Sequence, residues 1–478
     1  MKRVLHKVEI ISLTIGNQVF SDHEIIDHVP NSLFNTKFHF DSVSDLLVIL
    51  SSNGFLNGIS PYNKEIYINF FAFKIPLGRI YTAALKLIEL GKANVVSVNE
   101  LFFPHLSQVN VVVFSTKFRI DIGITRKIIF LKYSVNKLFS FLNFIFINDD
   151  RTNVINILKA WVEVSLRIHG VDRFQKSRIL VYPFPYSFRR QIEFIKKLCH
   201  SKYEFRFGFV DYSFSDFFYL LIRMKIDEYL KFEINGESRS AFLLLKKYPS
   251  LKNLFTEDDY VPAIFAFNNL LISNGITVVN TSHGVNQQVP MISSSIIEYL
   301  TDSQKNIYSL YSHNTIFKKQ SNHSLKPKYT FKDHIDIAYI FIHGNFKESG
   351  MVYEDILQNR LLNQLVDLNI ENLYIKYHPN SKCKKNEYIK SIDYSKMEEL
   401  LFDKKLVFLT INSTSYFTFG YFGVFCFIND DFFNPCDIFG TGIITVNIKE
   451  INTILSFENH LNWTNAFKRQ INYIEGNI

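Results

Sequence analysis

The chain has 478 residues, of which 47% are hydrophobic and 21% are charged, a balance that excludes an intrinsically disordered protein. A chain of this length is expected to form two or three domains. The net charge of +8 is too small an excess for a dedicated nucleic-acid-binding protein, so no nucleic-acid partner is expected. It fits an anionic small ligand, an anionic membrane surface, or both.

The cysteines and the first residues of the chain indicate in which cellular compartment the protein is expected. The four cysteines are scattered and form no C-x-x-C pair, which favours a reducing compartment and no structural zinc. The start, Met1–Lys7, is basic but leads into a strand-like run without a small-residue cleavage site, so no signal peptide is predicted. We therefore expect a cytoplasmic protein, either free or at the inner face of the cytoplasmic membrane.

Short apolar runs alternate with helix-like stretches in the first two thirds of the chain. Strands are predicted at Val8–Ile15, Leu46–Leu50, Glu65–Phe71, Val95–Val98, Val109–Phe114, Ile179–Pro183, Tyr203–Val210 and Ile276–Asn280. Helices are predicted at Arg79–Leu90, Arg189–Cys199, Ser215–Leu230 and Val261–Ser273. Because interleaved strands and helices favour parallel βαβ units, residues 1–316 are predicted to form an α/β domain.

One segment of this region is unusually apolar. Leu138–Ile147 carries no charge, but its ten residues are too few for a membrane-spanning helix, which needs roughly 20. Lys127, Lys132 and Lys137 precede it among aromatic residues. Two interpretations stay open: a basic-aromatic helix lying on an anionic membrane, and a helix buried between domains.

The last third of the chain has a cleaner α/β pattern. The polar, basic residues 317–332 are predicted to be a linker, and residues 333–460 a doubly wound, Rossmann-like domain followed by a C-terminal helix at 461–478. Strands are predicted at Ile335–Ile342, Leu373–Tyr377, Leu406–Ile411, Val424–Ile428 and Ile443–Ile448. Helices are predicted around Tyr353–Leu368 and at Tyr394–Leu401 and Thr414–Tyr421. The fold class expected is α/β, with two doubly wound domains and a cleft between them.

A lysine and a histidine end the second of these strands. Strand alternation puts Lys376 and His378 on one face, and Pro379 closes the strand. An ammonium and an imidazole at the carboxyl end of a parallel strand can bind phosphate oxygens. The competing interpretation is a surface histidine that caps a turn.

Three hydroxyl residues, Ser413, Thr414 and Ser415, follow the next predicted strand. One of them would suffice to cap the following helix. Three in a row, ahead of Gly420 and Gly423, favour a phosphate site at the helix N-terminus. The turn from His343 and Gly344 to Gly350 offers backbone donors and Lys347 to the same phosphates, although it matches neither the P-loop nor the G-x-G-x-x-G pattern.

A further histidine, His283, follows the predicted strand Ile276–Asn280 and precedes Gly284. At a strand end beside a cleft it is suited to accept a proton from a sugar hydroxyl; the alternative is a structural histidine. Carboxylate bases also stay open, at Asp211, Glu257, Asp258 and Asp259. The sequence contains no D-x-D triplet, H-E-x-x-H motif or Cys/His cluster, so we expect no metal and no other cofactor.

Three motifs in this order resemble the bacterial surface-polysaccharide transferases of the GT-B fold. They are SHGVNQQ (Ser282–Gln288), KYHPN (Lys376–Asn380) and NSTSYFTFGYFGVFCFIND (Asn412–Asp430). The resemblance covers roughly Glu257–Ile448. It extends to glycosyltransferases of capsule, O-antigen or lipooligosaccharide synthesis and to the CDP-glycerol glycerophosphotransferases of teichoic acid synthesis.

The resemblance implies site roles. In those families an HG element and an HP element flank the donor, and a Ser/Thr-rich helix start contacts its phosphate; here these are His283, His378 with Pro379, and Ser413–Ser415. The chain departs from both families: no tryptophan precedes His283, and no acidic pair is followed by glycine as in bacterial sialyltransferases. Donor and base therefore stay open.

The implied function is a metal-independent glycosyltransferase that moves a sugar from a nucleotide donor to a glycan or lipid-linked glycan acceptor. His283 would be the base, with inversion at the sugar. Two alternatives remain: a CDP-polyol phosphotransferase on the same scaffold, and a non-catalytic protein that binds a nucleotide sugar.

Overall fold

The structure is a computed structural model. It describes residues 11–21, 23–30, 75–99, 112–114, 129–131, 133–134, 136–138, 154–159, 178–181, 205–207, 210–223, 226–256, 262–282, 293–311, 314–320, 336–344, 346, 352–378, 387–413, 415–452 and 460–475. Its described helices are α1 (His23–Ile26), α2 (Ile75–Glu89), α3 (Phe214–Arg223), α4 (Ile226–Lys247), α5 (Pro262–Ser273), α6 (Asp302–Tyr311), α7 (Val352–Asp367), α8 (Tyr394–Asp403), α9 (Tyr416–Phe419), α10 (Cys436–Phe439) and α11 (His460–Ile474).

The first strands form a small mixed sheet. Its strands are β1 (Ile11–Ile15), β2 (Gln18–Ser21), β3 (Asn94–Asn99) and β4 (Val112–Phe114). Their order is β2-β1-β3-β4, and β1 runs antiparallel to both of its neighbours. The sequence predicted strands here but assigned them to a single parallel domain. The structure places them in a sheet of their own.

The second sheet is parallel and has seven strands. They are β5 (Val154–Lys159), β6 (Arg178–Val181), β7 (Phe205–Phe207), β8 (Asn253–Thr256), β9 (Thr277–Thr281), β10 (Ile296–Tyr299) and β11 (Ile316–Lys319). The order is β11-β10-β9-β8-β5-β6-β7. The chain therefore starts in the middle at β5, runs outward to β7, and returns to the other side of β5 with β8. This reversal defines a doubly wound sheet.

The predicted linker begins inside this sheet. Phe317 pairs with Ile297 and Lys319 with Tyr299 in the parallel β10–β11 ladder. The backbone N–H of Gln320 continues the ladder by donating to Tyr299 O at 2.8 Å. Residues 317–319, which the sequence assigned to the linker, thus belong to an edge strand, whose polar, basic composition resembles that of a linker.

The third sheet is also parallel and has six strands. They are β12 (Ile337–His343), β13 (Leu373–Tyr377), β14 (Lys390–Ser391), β15 (Lys405–Thr410), β16 (Gly423–Asn429) and β17 (Ile444–Asn447). The order β14-β13-β12-β15-β16-β17 repeats the same reversal, now on either side of β12. Two doubly wound, Rossmann-like parallel sheets with flanking helices give the chain an α/β fold of the GT-B type, as predicted.

Helix α11 fastens the C-terminal sheet through buried hydrogen bonds. Gln470 is 1% exposed. Its side-chain carbonyl accepts from Phe425 N at 2.7 Å, and its amide donates to Gly420 O at 2.7 Å and Gly423 O at 2.8 Å. The indole of Trp463 donates to Leu406 O at 3.1 Å. One helix thus supplies partners for backbone groups of β15, β16 and the end of α9.

Candidate functional site

Three strand ends carry the residues predicted to bind phosphate. Strand β12 lies between β13 and β15, and all three run parallel, so their carboxyl ends meet at one edge of the sheet. The backbone N–H of His378 donates to His343 O at 3.0 Å. The edge lies where the chain reverses direction across the sheet, which is where open α/β sheets bind their ligands.

Lys376 connects this edge to helix α9. Its Nζ lies 5.3 Å from the centroid of the Phe419 ring, over the ring face. Burial lowers the pKa of the Lys376 ammonium, and no carboxylate contributes to that shift among the described residues. An ammonium that is desolvated without a counter-charge is a destabilised group that an anionic ligand would stabilise.

The pairing register divides the edge into two faces. Ile342 of β12 pairs with Lys376, and Ile340 pairs with both Tyr374 and Phe408. Paired residues of parallel strands share a face, so Lys376 lies on the face where Phe408 stacks on Phe419 of α9 at 6.2 Å. His343 is one residue further along β12 and therefore points to the opposite face.

His343 is enclosed on that second face. It is 7% exposed, its Nδ1 lies 2.9 Å from Gly344 O, and its Nε2 lies 3.3 Å from Nε2 of Gln358 in α7. The arrangement fits a neutral ring that donates from Nδ1 and accepts at Nε2. Burial is the main cause that lowers the His343 pKa, against smaller opposing effects of the Gly344 carbonyl and Asp355.

Gln358 also accepts a hydrogen bond from the backbone N–H of Gly344, in the turn that was predicted to bind phosphate. Gly344 N donates to Gln358 Oε1 at 2.6 Å. A Cβ at Gly344 would lie 2.6 Å from the Phe346 ring, so the glycine is needed for packing. The structure thus gives His343 and Gly344 intramolecular partners, and a ligand would reach the Gly344 N–H only if Gln358 moved. Lys347 lies outside the described residues.

The His343 environment predicts a pH dependence of stability. Since its folded pKa lies below the unfolded value of about 6.5, the folded state binds fewer protons than the unfolded state as pH falls below that value. We expect the free energy of unfolding to decrease from pH 7.5 to 5.5 more steeply in the natural protein than in a His343→Asn variant. Urea unfolding at both pH values measures the two slopes. Equal slopes would show that burial of this imidazole is not linked to folding.

The hydroxyl cluster lies at a shorter helix than predicted. Helix α9 spans Tyr416–Phe419, a single turn, where the sequence predicted Thr414–Tyr421. Ser415 is its N-cap and makes no side-chain capping bond, while Ser415 N donates to Ser413 Oγ at 3.2 Å. One turn has a small dipole, so hydroxyls rather than the helix N-terminus would contact a phosphate. Thr414 lies outside the described residues.

Two polar side chains that the sequence interpretation did not select lie at the end of β15. Thr410 is fully buried and Asn412 is 7% exposed. Thr410 Oγ1 and Asn412 Nδ2 have no hydrogen-bond partner among the residues that are described. Thr410 shares the face of Phe408 and therefore of Lys376. The sequence contained a signal for them, because the apolar run Leu406–Leu409 turns polar at its carboxyl end.

The N-terminal part of the predicted site is described up to Ser282. Strand β9 ends at Thr281, whose hydroxyl donates to a Glu298 oxygen at 2.9 Å. Ser282 is 2% exposed, and its Oγ has no partner within the described part of the chain. His283, the predicted base, lies outside the described residues, as do Pro379 and the alternative bases at 257–259. Asp211 is described, and its carboxylate lies 3.4 Å from Lys137 Nζ.

Two kinds of feature are absent from the described residues. Within them, no three His, Cys, Asp or Glu side chains are grouped as metal ligands would be. None of the described helices is long and apolar enough to cross a bilayer.

The chain has distant similarity to several proteins of known structure. No family model and no curated protein matches the chain. It is similar to UDP-GlcNAc 2-epimerase from Neisseria meningitidis bound to UDP-GlcNAc, with 14% identity and a TM-score of 0.42 over 67% of this chain and 94% of that one. For UDP-GlcNAc 2-epimerase from Methanocaldococcus jannaschii the identity is 11% and the TM-score 0.37, over 66% of this chain and 95% of that one. For the wall teichoic acid polymerase TagF the identity is 9% and the TM-score 0.32, over 74% of this chain and 92% of that one. The fold assignment rests on the strand order of the two sheets.

Proposed function

We propose that the chain is a nucleotide-sugar-dependent glycosyltransferase that extends a bacterial capsule, O-antigen or lipooligosaccharide glycan. The observation that carries the proposal is the half-buried Lys376 ammonium, which has no described carboxylate partner and lies at the carboxyl edge of a doubly wound sheet. A diphosphate would supply the missing counter-charge. The chain would act on the cytoplasmic side of the membrane on a glycan or lipid-linked glycan acceptor.

In this proposal the donor phosphates lie on the face of α9. Lys376, His378, Ser413 and Ser415 would bind the phosphate oxygens, with Thr414 and Lys347 assisting. Thr410 and Asn412 would donate from the end of β15. His343, Gly344 and Pro379 would act by fixing the ends of β12 and β13. These groups would stabilise the negative charge that develops on the departing diphosphate, so the proposed mechanism needs no metal.

The reaction would be a single displacement. The acceptor hydroxyl oxygen attacks the anomeric carbon, and the bond from that carbon to the diphosphate oxygen breaks. The electron pair leaves with the nucleoside diphosphate, or with CMP for a CMP-activated sugar. The hydroxyl proton passes to the imidazole of His283, and the configuration at the sugar inverts.

A ligand screen followed by a product assay tests the proposal. We expect one of CMP, CDP, UDP, GDP or ADP to raise the thermal midpoint, since a ligand at roughly 100 times its Kd stabilises by about 2.7 kcal/mol. Donor consumption is then measured with CMP-, CDP- and UDP-sugars and with CDP-glycerol, in the natural protein and in His283→Ala and His378→Ala variants. Turnover of CDP-glycerol alone would replace the proposal by phosphotransfer. Glycan synthesis that survives both substitutions would contradict catalysis at this site.

A further inference from the structure

The side-chain amide of Gln358 lies between the imidazole of His343 and the backbone of Gly344. Gln358 is fully buried. Its Oε1 accepts from Gly344 N at 2.6 Å, and its Nε2 lies 3.3 Å from His343 Nε2 and 3.4 Å from Gly344 O. His343 Nδ1 lies 2.9 Å from the same carbonyl oxygen. The three residues thus form one closed hydrogen-bond network at the carboxyl end of β12.

One backbone group fixes the direction of the bonds in this network. The N–H of Gly344 can only donate, so the Gln358 atom that faces it must be the carbonyl oxygen. The amide nitrogen of Gln358 then faces the His343 ring, and this nitrogen can also only donate. His343 Nε2 must therefore accept, and the ring carries its single proton on Nδ1, which donates to Gly344 O. The closed network requires a neutral imidazole.

A proton on His343 Nε2 would open the network. Two donors, the ring N–H and the Gln358 amide nitrogen, would then face each other at the present 3.3 Å. Gln358 can accept from the imidazolium only by turning its oxygen to the ring, and this places its NH₂ group against the N–H of Gly344. The N–H of Gly344 loses its acceptor in that state. A buried donor without a partner would be stabilised by an oxygen of an anionic ligand.

The groups around His343 allow both protonation states. Burial lowers the pKa of the ring, and the Asp355 carboxylate of α7 opposes that shift. The phenol ring of Tyr377 in β13 packs at 5.2 Å, while Leu409 and Ile411, on the side of β15, are buried and apolar. Among the described residues, Asp355 is thus the charged group that acts on the ring. The network is closed at neutral pH and opens below the ordinary histidine pKa of about 6.5.

We propose that His343 and Gln358 form a proton-controlled latch on the backbone N–H of Gly344, which protonation of the imidazole releases to an anionic ligand. The latch would regulate the proposed nucleotide site, and in this respect it rests on the proposed function. The coupling is reciprocal: a proton on His343 favours the anion, and the anion favours the proton. Affinity for a phosphate-bearing ligand would therefore increase as the pH falls.

Sulfate binding to the full chain at pH 7.5 and 5.5 tests the latch. Sulfate resembles a phosphate group and keeps its full charge over this range, so its own titration does not contribute. Calorimetric titration at constant ionic strength measures the two affinities. We expect the natural protein to bind sulfate at least about fivefold more tightly at pH 5.5, because one more hydrogen bond to a charged group forms.

Two substitutions of Gln358 and one of His343 are expected to remove this pH dependence in different ways. His343→Asn should bind weakly at both pH values, since Gln358 stays on Gly344 N. Gln358→Met should bind tightly at both, because the thioether is a poor acceptor and leaves the N–H available. Gln358→Glu should bind weakly at both, because its two oxygens can accept from Gly344 N and from the imidazolium together. Thermal midpoints show which variants fold, and the glutamate variant keeps the shape of the natural side chain.

His378→Asn is the control for the other imidazole at this edge. His378 is exposed at the end of β13 and also gains charge as the pH falls. This variant should bind sulfate more weakly overall and keep most of the ratio between the two pH values.

Three results would overturn the proposal. They are a pH ratio in His343→Asn equal to that of the natural protein, tight binding at pH 7.5 by folded Gln358→Glu, and no sulfate binding at either pH. Donor consumption is measured separately at a single pH. A protein with the latch but without donor turnover would refute only the glycosyltransferase proposal, and turnover with a pH-independent sulfate affinity would refute only the latch.

Discussion

Replacing Lys376 by methionine is expected to stabilise the ligand-free protein and to weaken nucleotide binding by about 10- to 100-fold. Methionine keeps the length of the side chain and removes a desolvated charge that has no described carboxylate partner. A gain of roughly 1 kcal/mol would raise the thermal midpoint by about 2 to 4 °C in a domain of this size. The affinity loss follows because a hydrogen bond to a charged group contributes about 1.5 to 3 kcal/mol.

Calorimetry without ligand and titration with the nucleotide found in the screen measure the two effects. Lys390→Met is the matched control, because Lys390 is an exposed lysine of the same sheet, in β14. It should change neither quantity. The decisive feature is the opposite sign of the two changes for Lys376. A variant that is less stable and binds nucleotide normally would make Lys376 a structural residue and leave the proposed site without its main cation.

Replacing Gln470 by alanine is expected to destabilise the C-terminal domain by at least about 3 kcal/mol. Phe425 N, Gly420 O and Gly423 O would each lose a buried partner, and each unsatisfied group costs about 1 to 3 kcal/mol. That loss is a large part of the 5 to 15 kcal/mol that roughly holds a domain folded. Nucleotide binding should weaken as well, because Gly420 follows directly on α9.

Urea unfolding followed by tryptophan fluorescence measures this loss. A Trp161→Phe background leaves Trp463 as the single tryptophan, and Trp463 lies in α11, 1% exposed. Arg469→Ala is the control. Arg469 precedes Gln470 on the same helix and is exposed, and none of the described hydrogen bonds joins it to Phe425 N or Gly420 O. A loss below about 1 kcal/mol would mean that water replaces the amide at all three backbone groups.

The strands of the C-terminal sheet were predictable because they are buried on both faces. Strand β15, for example, is buried at every position and reads as an apolar run, as central parallel strands do. Short strands of the second sheet were missed. Strand β8 has four residues and β10 has four, one of them Glu298, so neither gives a long apolar signal. The small mixed sheet was also missed, since pairing between distant strands is not visible in local patterns.

The positions of some candidate residues relative to one another could be predicted from the sequence, and those of the others depend on packing. The sequence placed Lys376 near the serine-rich segment, and the contact between Lys376 and Phe419 agrees with that. It also grouped His343 with Lys376. Which face each side chain occupies depends on the pairing register of β12 and β13, and a shift of one residue reverses the face. Register comes from tertiary packing, so neither the enclosure of His343 by Gln358 nor the short α9 followed from the motifs.

The register of β12 against β13 has a consequence for how the C-terminal domain can change. With Ile342 opposite Lys376, the histidine belongs to the layer under α7 and the lysine to the layer under α9. In the proposed glycosyltransferase, substitutions in the α9 layer would alter ligand preference while the α7 layer keeps the strand ends in place. Selection for a new donor and selection for a stable scaffold would then act on different side chains, so the ligand preference of this domain could change while its fold stays intact.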